Sequence, residues 1–279
     1  HAGCFHAVHT VWTPEMLKAC RADLDAGTKA AGNDELIRKR VDMFRMGLEN
    51  AQYYADARAA WNRCDYVKAK DIFDRWMKHM DDVCTAGIHQ IGEYKRGYAP
   101  RFLEKGVVDG CARVTGNCKL VLQLPDEWDF RYDPTHIGES NGWEKVDADL
   151  KDWQKVRTYS ATLGEQGVPE KLTWMWYRTK IKTPAELGSP LHIWFQELDG
   201  YETKVFFDGQ LAAEAGKAGR QPLDLDITGK LQPNKEYTVV VETNHKKISE
   251  LGLGGILKPI MIYSGEPTAV EAKSDTKKD

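Results

Sequence analysis

Apolar residues in the first third of the chain recur every three or four positions, the spacing of helices that bury one face. Thr13-Pro14-Glu15 has the order of a helix start, and Ala31-Gly32-Asn33 has the order of a helix end. The predicted helices span residues 14–31, 34–61, 66–84 and 100–115. The Met and aromatic positions among them have helical spacing, which favours core packing over a cofactor pocket. We therefore expect a helical bundle.

The pattern changes at Lys119, where short alternating runs rich in Val, Ile, Tyr, Phe and Trp begin. Such runs, separated by Gly, Pro, Asn and Asp, are typical of strands joined by turns. Asp208-Gly209 and the segment 231–235 are turn candidates. The predicted strands span residues 119–124, 172–182, 191–197, 204–207, 222–227, 237–242 and 256–263.

Many strands without intervening helices predict an antiparallel β-sandwich or jelly roll. The predicted fold class is therefore multidomain, with separate α and β parts. We expect a helical bundle over residues 1–118, the sandwich over 119–264 and a disordered, charged tail over 265–279.

Charge and hydropathy exclude two classes of partner. The 39 basic and 42 acidic residues are mixed along the chain and give a net charge of -3, so no basic face indicates nucleic acid. The mean hydropathy is -0.55, and no apolar run approaches the roughly 18–20 residues needed to span a bilayer. We expect neither nucleic acid nor a membrane as a partner.

All six cysteines lie in the first 118 residues, which suits either disulfides or buried thiols. Cys111 and Cys118 enclose a short glycine-containing segment and form the best disulfide candidate. The cysteine spacings contain no CxxC pair, so we expect no structural zinc. The first residue is His1, with no export signal after it, and we interpret the chain as a mature or truncated product.

The strand region carries an ordered series of aromatic, Asp and Gly motifs. They are Leu124-Pro-Asp-Glu-Trp128-Asp-Phe130, Asp133-Pro134, Gly142-Trp143, Trp176-Tyr177-Arg178-Thr179, Leu198-Asp199-Gly200, Val205-Phe-Phe-Asp208-Gly209 and Gly254-Gly255-Ile256-Leu257-Lys258-Pro259. This series resembles the galactose-binding-like jelly roll that accompanies the catalytic barrel in β-galactosidase- and β-glucuronidase-type glycoside hydrolases. The resemblance covers most of residues 120–264.

The amino-terminal half is similar, less specifically, to the helical region after the barrel in α-glucuronidase-like and hexosaminidase-like hydrolases, through segments 12–16 and 40–48. Together the resemblances imply the non-catalytic, carboxyl-terminal part of a secreted enzyme, extracellular or periplasmic, whose barrel is not in this sequence. They imply a catalytic domain or companion fragment as partner. Such sandwiches often bind structural calcium, although no acidic loop here has a clear calcium spacing.

Carbohydrate would bind through aromatic and polar side chains on loops at one end of the sheets. The candidates next to predicted loops are Tyr159, Trp174, Tyr201, Asn244 and His245. For each of them, an aromatic or polar group packed at the base of a loop is the alternative. Arg178 belongs either to a buried ion pair or to a sugar site.

No complete catalytic motif is present. Glycoside hydrolysis needs two facing carboxyl groups, and Glu242 ends a strand without an obvious second acid. The Asp126-Glu127 and Asp81-Asp82 pairs point apart on strand or helix backbones. Two functions besides a hydrolase accessory region therefore stay open, namely a free-standing carbohydrate-binding module and a structural or assembly protein.

Overall fold

The computed structural model of this 279-residue chain describes residues 11–87, 104–216, 219–247 and 254–267. Within these residues, helices precede two antiparallel β-sheets, which confirms the predicted fold class. The helices are α1 (Pro14–Ala31), α2 (Glu35–Trp61), α3 (Tyr66–Thr85) and α4 (Lys105–Ala112). The strands are β1 (Lys119–Gln123), β2 (Glu127–Asp133), β3 (Gln154–Arg157), β4 (Trp174–Lys182), β5 (Leu191–Gly200), β6 (Thr203–Phe207), β7 (Gln210–Ala215), β8 (Gly219–Asp226), β9 (Glu236–Asn244), β10 (Gly255–Ile256) and β11 (Ile260–Ser264).

The first three helices start where their capping residues predict. The side chains of Thr13, Asp34 and Asp65 each accept a backbone N–H from the first turn of the helix that follows. Gly32 ends α1 with a φ of 53°, a conformation that glycine adopts easily. The predicted start of the fourth helix at Pro100 lies outside the described residues.

The strands form two sheets that enclose an apolar core. Sheet A has the order β1-β11-β5-β10, with β8 on the other edge of β5, and sheet B has the order β3-β2-β4-β9-β6-β7. Inward-facing side chains of both sheets make this core, including Phe130, Tyr177, Val241 and Ile193. The domain boundary predicted at residue 118 stays a prediction.

Three strands of sheet B were not among the predicted ones. In β2, acidic and basic residues alternate with Trp128, Phe130 and Tyr132, so the strand has only every second side chain in the core. The strand β7 contains Ala and Glu, which have low intrinsic strand propensity, and it exists because the turn at Asp208-Gly209 folds it back on β6.

The helical region packs on the outer face of sheet A. Trp194, Met261 and Tyr263 of that face belong to the same apolar cluster as the helical side chains. Gln196 of β5 accepts hydrogen bonds from the indole N–H of Trp61 and, at 3.0 Å, from the hydroxyl of Tyr66. Helices and sheet A therefore share one buried interface.

Cys111 and Cys118 lie at this interface as free thiols, so the predicted disulfide between them is not formed. Cys118 is buried in the shared apolar cluster, and the partly buried Cys111 packs against the same cluster. Burial raises the pKa of the Cys118 thiol. Both cysteines therefore act as small apolar side chains in a packed core.

The outer face of sheet B is covered by the chain between β2 and β3. Trp143 and, partly buried, Trp153 of this crossing segment pack against Trp176, Phe206 and Val240 of the sheet. The outer face of sheet B around Trp176, Phe206 and Val240 is thereby covered, and Trp174, Asn244 and Lys204 lie beyond it at one end of the sheet.

Candidate ligand-binding site at one end of sheet B

Three of the six predicted site residues come together at one end of sheet B. Trp174 of β4 is paired directly with Asn244 of β9, so both side chains lie on the outer face of the sheet. The backbone N–H of Tyr201 donates to the carbonyl of Asn244 at 2.8 Å. Trp174 and Tyr201 are half-buried, and Asn244 is buried.

An aromatic stack forms the centre of this end. The imidazole of His136 lies parallel to the indole of Trp174, with ring centroids 3.9 Å apart and an interplanar angle of 2°. The side chain of His136 is 47% exposed, so the stack presents an aromatic ring to solvent. His136 therefore covers one face of the ring of Trp174, a residue that the sequence predicted as a candidate for carbohydrate binding.

A rigid turn after β2 carries His136. The carboxylate of Asp133 accepts the backbone N–H groups of Ile137 at 2.9 Å and of Gly138 at 2.8 Å, and also the indole N–H of Trp176 at 3.2 Å. His136 itself has a φ of 52°, in the left-handed region that side chains other than glycine seldom adopt. The turn thus fixes the backbone of His136 above the sheet.

Glu242 holds the ring of His136 from below. Its side chain is 0% exposed, and its Oε1 lies 3.1 Å from Nε2 of His136. Burial raises the pKa of Glu242 to about 7. The negative charges of Glu139 and Asp133 act in the same direction, whereas the positive charge of Lys204 lowers it.

Lys204 lies between two carboxylates on the same face. Its ammonium donates to Glu139 and lies 3.7 Å from Oε2 of Glu242, which is an ion pair but too long for a hydrogen bond. Lys204 and Glu242 are directly paired across β6 and β9. We call the group His136, Trp174, Lys204, Glu242 and Asn244 the stack site.

The rim of the stack site adds one further ion pair, between Lys246 and Glu202. A hydrogen bond from Lys246 holds the pKa of Glu202 below its usual range. Ile137 and Leu172, next to the stack in sequence, are exposed. The rim therefore combines apolar surface with donors and acceptors, which suits a polyhydroxylated ligand better than a purely apolar one.

Sequence reasoning did not select His136, Lys204 and Glu242. Glu242 directly follows a run of three valines, and an acid next to such an apolar run in a predicted strand is a signal. The second acid that its surroundings were predicted to lack is Glu139, which reaches the same ammonium of Lys204. His136 carried no signal, because its contact with Glu242 joins residues 106 positions apart.

Two other predicted site residues, Arg178 and Tyr159, lie outside the stack site and make structural contacts. Arg178 is buried, and its guanidinium donates to the carbonyls of Lys145 at 2.6 Å and Val146 at 2.5 Å. It therefore fastens the crossing segment to sheet B instead of facing a ligand. Tyr159 lies near the helices, where its carbonyl accepts from Arg58 and burial raises its pKa to about 12.

His245 follows Asn244 and therefore points to the opposite face of the sheet. Its side chain is fully buried, its Nε2 lies 2.9 Å from Glu170, and Gly254 lies against its ring. His245 thus belongs to the interior at this end of the sandwich and not to the stack site.

Among the residues that the structure describes, no three or more His, Cys, Asp or Glu side chains are grouped to hold a metal ion. None of the helices described is long and apolar enough to cross a bilayer.

Comparison with solved structures finds bacterial β-glucuronidases as neighbours. A β-glucuronidase from Ruminococcus gnavus in complex with C6-substituted uronic isofagomine has a TM-score of 0.44 and 18% identity, over 54% of this chain and 30% of that chain. Another Ruminococcus gnavus β-glucuronidase structure has a TM-score of 0.44 and 20% identity, over 53% of this chain and 28% of that chain. The chain thus spans less than a third of these enzymes. No family model and no curated protein matches it.

Proposed function

We propose that this chain is a non-catalytic carbohydrate-binding module of a larger, secreted glycoside hydrolase-like protein. The observation that carries the proposal is the stack site, where a half-exposed pair of aromatic rings is bordered by amide, carboxylate and ammonium groups. The ordered motif series across residues 124–259 supports the link to glycoside hydrolases.

The geometry of the stack site suits a sugar ring. Sugars present apolar C–H faces and a perimeter of hydroxyl groups, which complement an aromatic surface with polar neighbours. The buried amide of Asn244 lies beside Trp174 and hydrogen-bonds to Glu202, and the ion pairs of Lys204 and Lys246 supply donors and acceptors at the rim. Because positive and negative groups are paired, the site favours neutral, hydroxyl-rich ligands.

The same geometry argues against hydrolysis at this site. Catalytic carboxyl groups flank a scissile bond with roughly 5 to 10 Å between them. Glu139 and Glu242 instead converge on the single ammonium of Lys204, and the side chain of Glu242 is closed to solvent. This pair has no gap in which a glycosidic bond fits.

Glycan binding is tested by calorimetric titration of the intact chain with a panel of oligosaccharides, including cello-, xylo-, manno- and galacto-oligosaccharides and a glucuronoxylan fragment. We expect binding to at least one neutral member, and loss of that binding in Trp174→Ala. Trp12→Ala, a substitution of a half-buried tryptophan two residues before α1, serves as the matched control. Absence of binding across the panel would contradict the proposal.

A second candidate function, structural support of a catalytic domain, is favoured by an exposed apolar face on α2. Leu36, Ile37, Met43 and Phe44 recur at helical spacing there, and Phe44 is 65% exposed. Further along α2, Tyr54 and Arg58 lie on the same side of the helix and are covered by α3 and by the sandwich. The face is thus continuous with an established interface, and we propose the catalytic domain of the same protein as its occupant.

The support function is tested by photo-crosslinking. A benzophenone amino acid at position 44 is expected to crosslink to sequence outside residues 1–279 in the protein isolated from its producing cells. The same probe at Lys68, an exposed position on α3, is the control. Only intrachain products at position 44 would contradict the support function. Location outside the cytoplasm stays a prediction, which fractionation of the same cells checks.

A further inference from the structure

The ring of His136 needs something besides its backbone to stay parallel to Trp174. The turn after β2 fixes the main chain of His136, but its exposed side chain retains rotamer freedom at the surface. The contact that restrains the ring is the 3.1 Å interaction of Nε2 with Oε1 of Glu242. The orientation of the stack therefore depends on one buried carboxyl group.

Nothing in the packing of sheet B requires a carboxyl group at this position. Val240, two residues earlier on the same face, is fully buried in an apolar cluster with Trp176 and Phe206. A buried carboxylate is unfavourable unless it is paired, and an apolar residue there would avoid that cost. The benefit of Glu242 must therefore come from what it contacts.

We propose that Glu242 is the positioning residue of the stack site, which holds the His136 imidazole on Trp174 and so presents a preformed aromatic surface to the sugar. This inference deepens the proposed function and rests on it. Glu242 does not touch the ligand itself, because its side chain is closed to solvent.

The charged groups around Glu242 come from every element packed against it. They are Asp133 at the end of β2, His136 and Glu139 on the crossing segment, and Lys204 on β6, while β4 contributes the uncharged Trp176. Lys204 hydrogen-bonds to Glu139 and lies 3.7 Å from Glu242, so it balances charge without taking the place of His136. Among the described contacts, the Glu242 carboxyl group lies within hydrogen-bond distance of Nε2 of His136, and it also interacts with the carboxyl group of Glu139.

Two variants separate positioning from a general structural effect. Glu242→Leu keeps the approximate volume and removes the hydrogen bond, whereas Glu242→Gln retains an acceptor for His136 Nε2. We expect Glu242→Leu to release the ring and weaken glycan binding about three- to tenfold, the range expected when a loose side chain must be ordered on binding. Glu242→Gln should bind nearly as wild type.

The position of the ring is read directly by NMR of the full chain with 13C-labelled histidine. A ring stacked on an indole has its C–H signals shifted upfield, and His136→Asn identifies the signal, since Asn tolerates the left-handed backbone at this position. We expect the upfield shift in wild type and Glu242→Gln, and its loss in Glu242→Leu. If Glu242→Leu fails to fold, Glu242→Thr, with a side chain too short to reach Nε2, takes its place.

An upfield signal that persists in Glu242→Leu, or in its Thr replacement, overturns the positioning role. Equal glycan affinity in wild type and Glu242→Leu overturns it too. If no glycan binds to the wild type, the proposed function fails, while the NMR signal still decides whether Glu242 holds His136. The two failures are therefore distinguishable.

Discussion

Replacing Glu242 by Gln is expected to stabilise the protein at alkaline pH and to change its stability little at acidic pH. Burial raises the pKa of Glu242 from its ordinary 4.5 to about 7. An acid with a raised pKa in the folded state contributes stability that is fully present below pH 4.5 and is lost as the pH rises through about 7. Glutamine carries no charge at any of these pH values and escapes this loss.

The size of the effect follows from the same pKa. A rise from 4.5 to about 7 corresponds to about 3 kcal/mol, at about 1.4 kcal/mol for each pKa unit. The side chain is 0% exposed, so screening by solvent does not reduce this figure much. The figure of about 3 kcal/mol already includes the loss of the Lys204 ion pair in the variant. The attraction of Lys204 lowers the pKa of Glu242, and the figure is calculated from that pKa.

Urea unfolding followed by circular dichroism, at intervals from about pH 4.5 to pH 8.5, measures this difference. We expect the free energy of unfolding of Glu242→Gln to exceed that of wild type by up to about 3 kcal/mol above pH 8, and the two curves to converge near pH 4.5. Glu202→Gln, at the rim of the same site, is the control and should show no such gain. A difference between Glu242→Gln and wild type that is constant with pH would refute the reasoning.

Further predictions concern the packing of the helical region and of the crossing segment. Gly110→Ala puts a methyl group into the ring of Tyr66, and we expect a loss of about 2 kcal/mol in thermal or urea unfolding. Arg178→Met leaves the carbonyls of the crossing segment without their donor, and we expect a loss of about 3 kcal/mol by the same measurement. Because Cys111 and Cys118 are free thiols, reductant should leave the melting temperature unchanged, and alkylation after denaturation without reductant should label both.

Local signals predicted the helices well. A hydroxyl or carboxylate followed by a stripe of apolar residues sets where α1, α2 and α3 begin, and the contacts that cap them lie within one turn. The strands β2 and β7, which the sequence did not predict, depend instead on pairing with neighbouring strands. The strand β7 is stabilised by pairing with β6 across a tight turn, which its own composition does not indicate.

The site was predictable only in part, for the same physical reason. Trp174, Tyr201 and Asn244 are adjacent to turns, and residues near turns at one end of a sandwich tend to meet. Arg178 and His245 have similar neighbours in sequence but lie outside the site. Arg178 binds the crossing segment, and strand alternation places His245 on the opposite face of the sheet. The contact between His136 and Glu242 depends on the complete path of the chain over sheet B.

Other parts of the chain cover the outer faces of both sheets and so limit the surface that a ligand can reach. The helices cover the outer face of sheet A at Trp194 and Tyr263, and the segment with Trp143 covers the outer face of sheet B around Trp176 and Phe206. Within the described residues, polar and aromatic groups then reach solvent together at the end that carries His136 and Trp174. Under the proposed function, the ligand contacts this edge through one sugar ring and its hydroxyl groups, so we expect short oligosaccharides to bind about as tightly as long ones in the same calorimetric titrations.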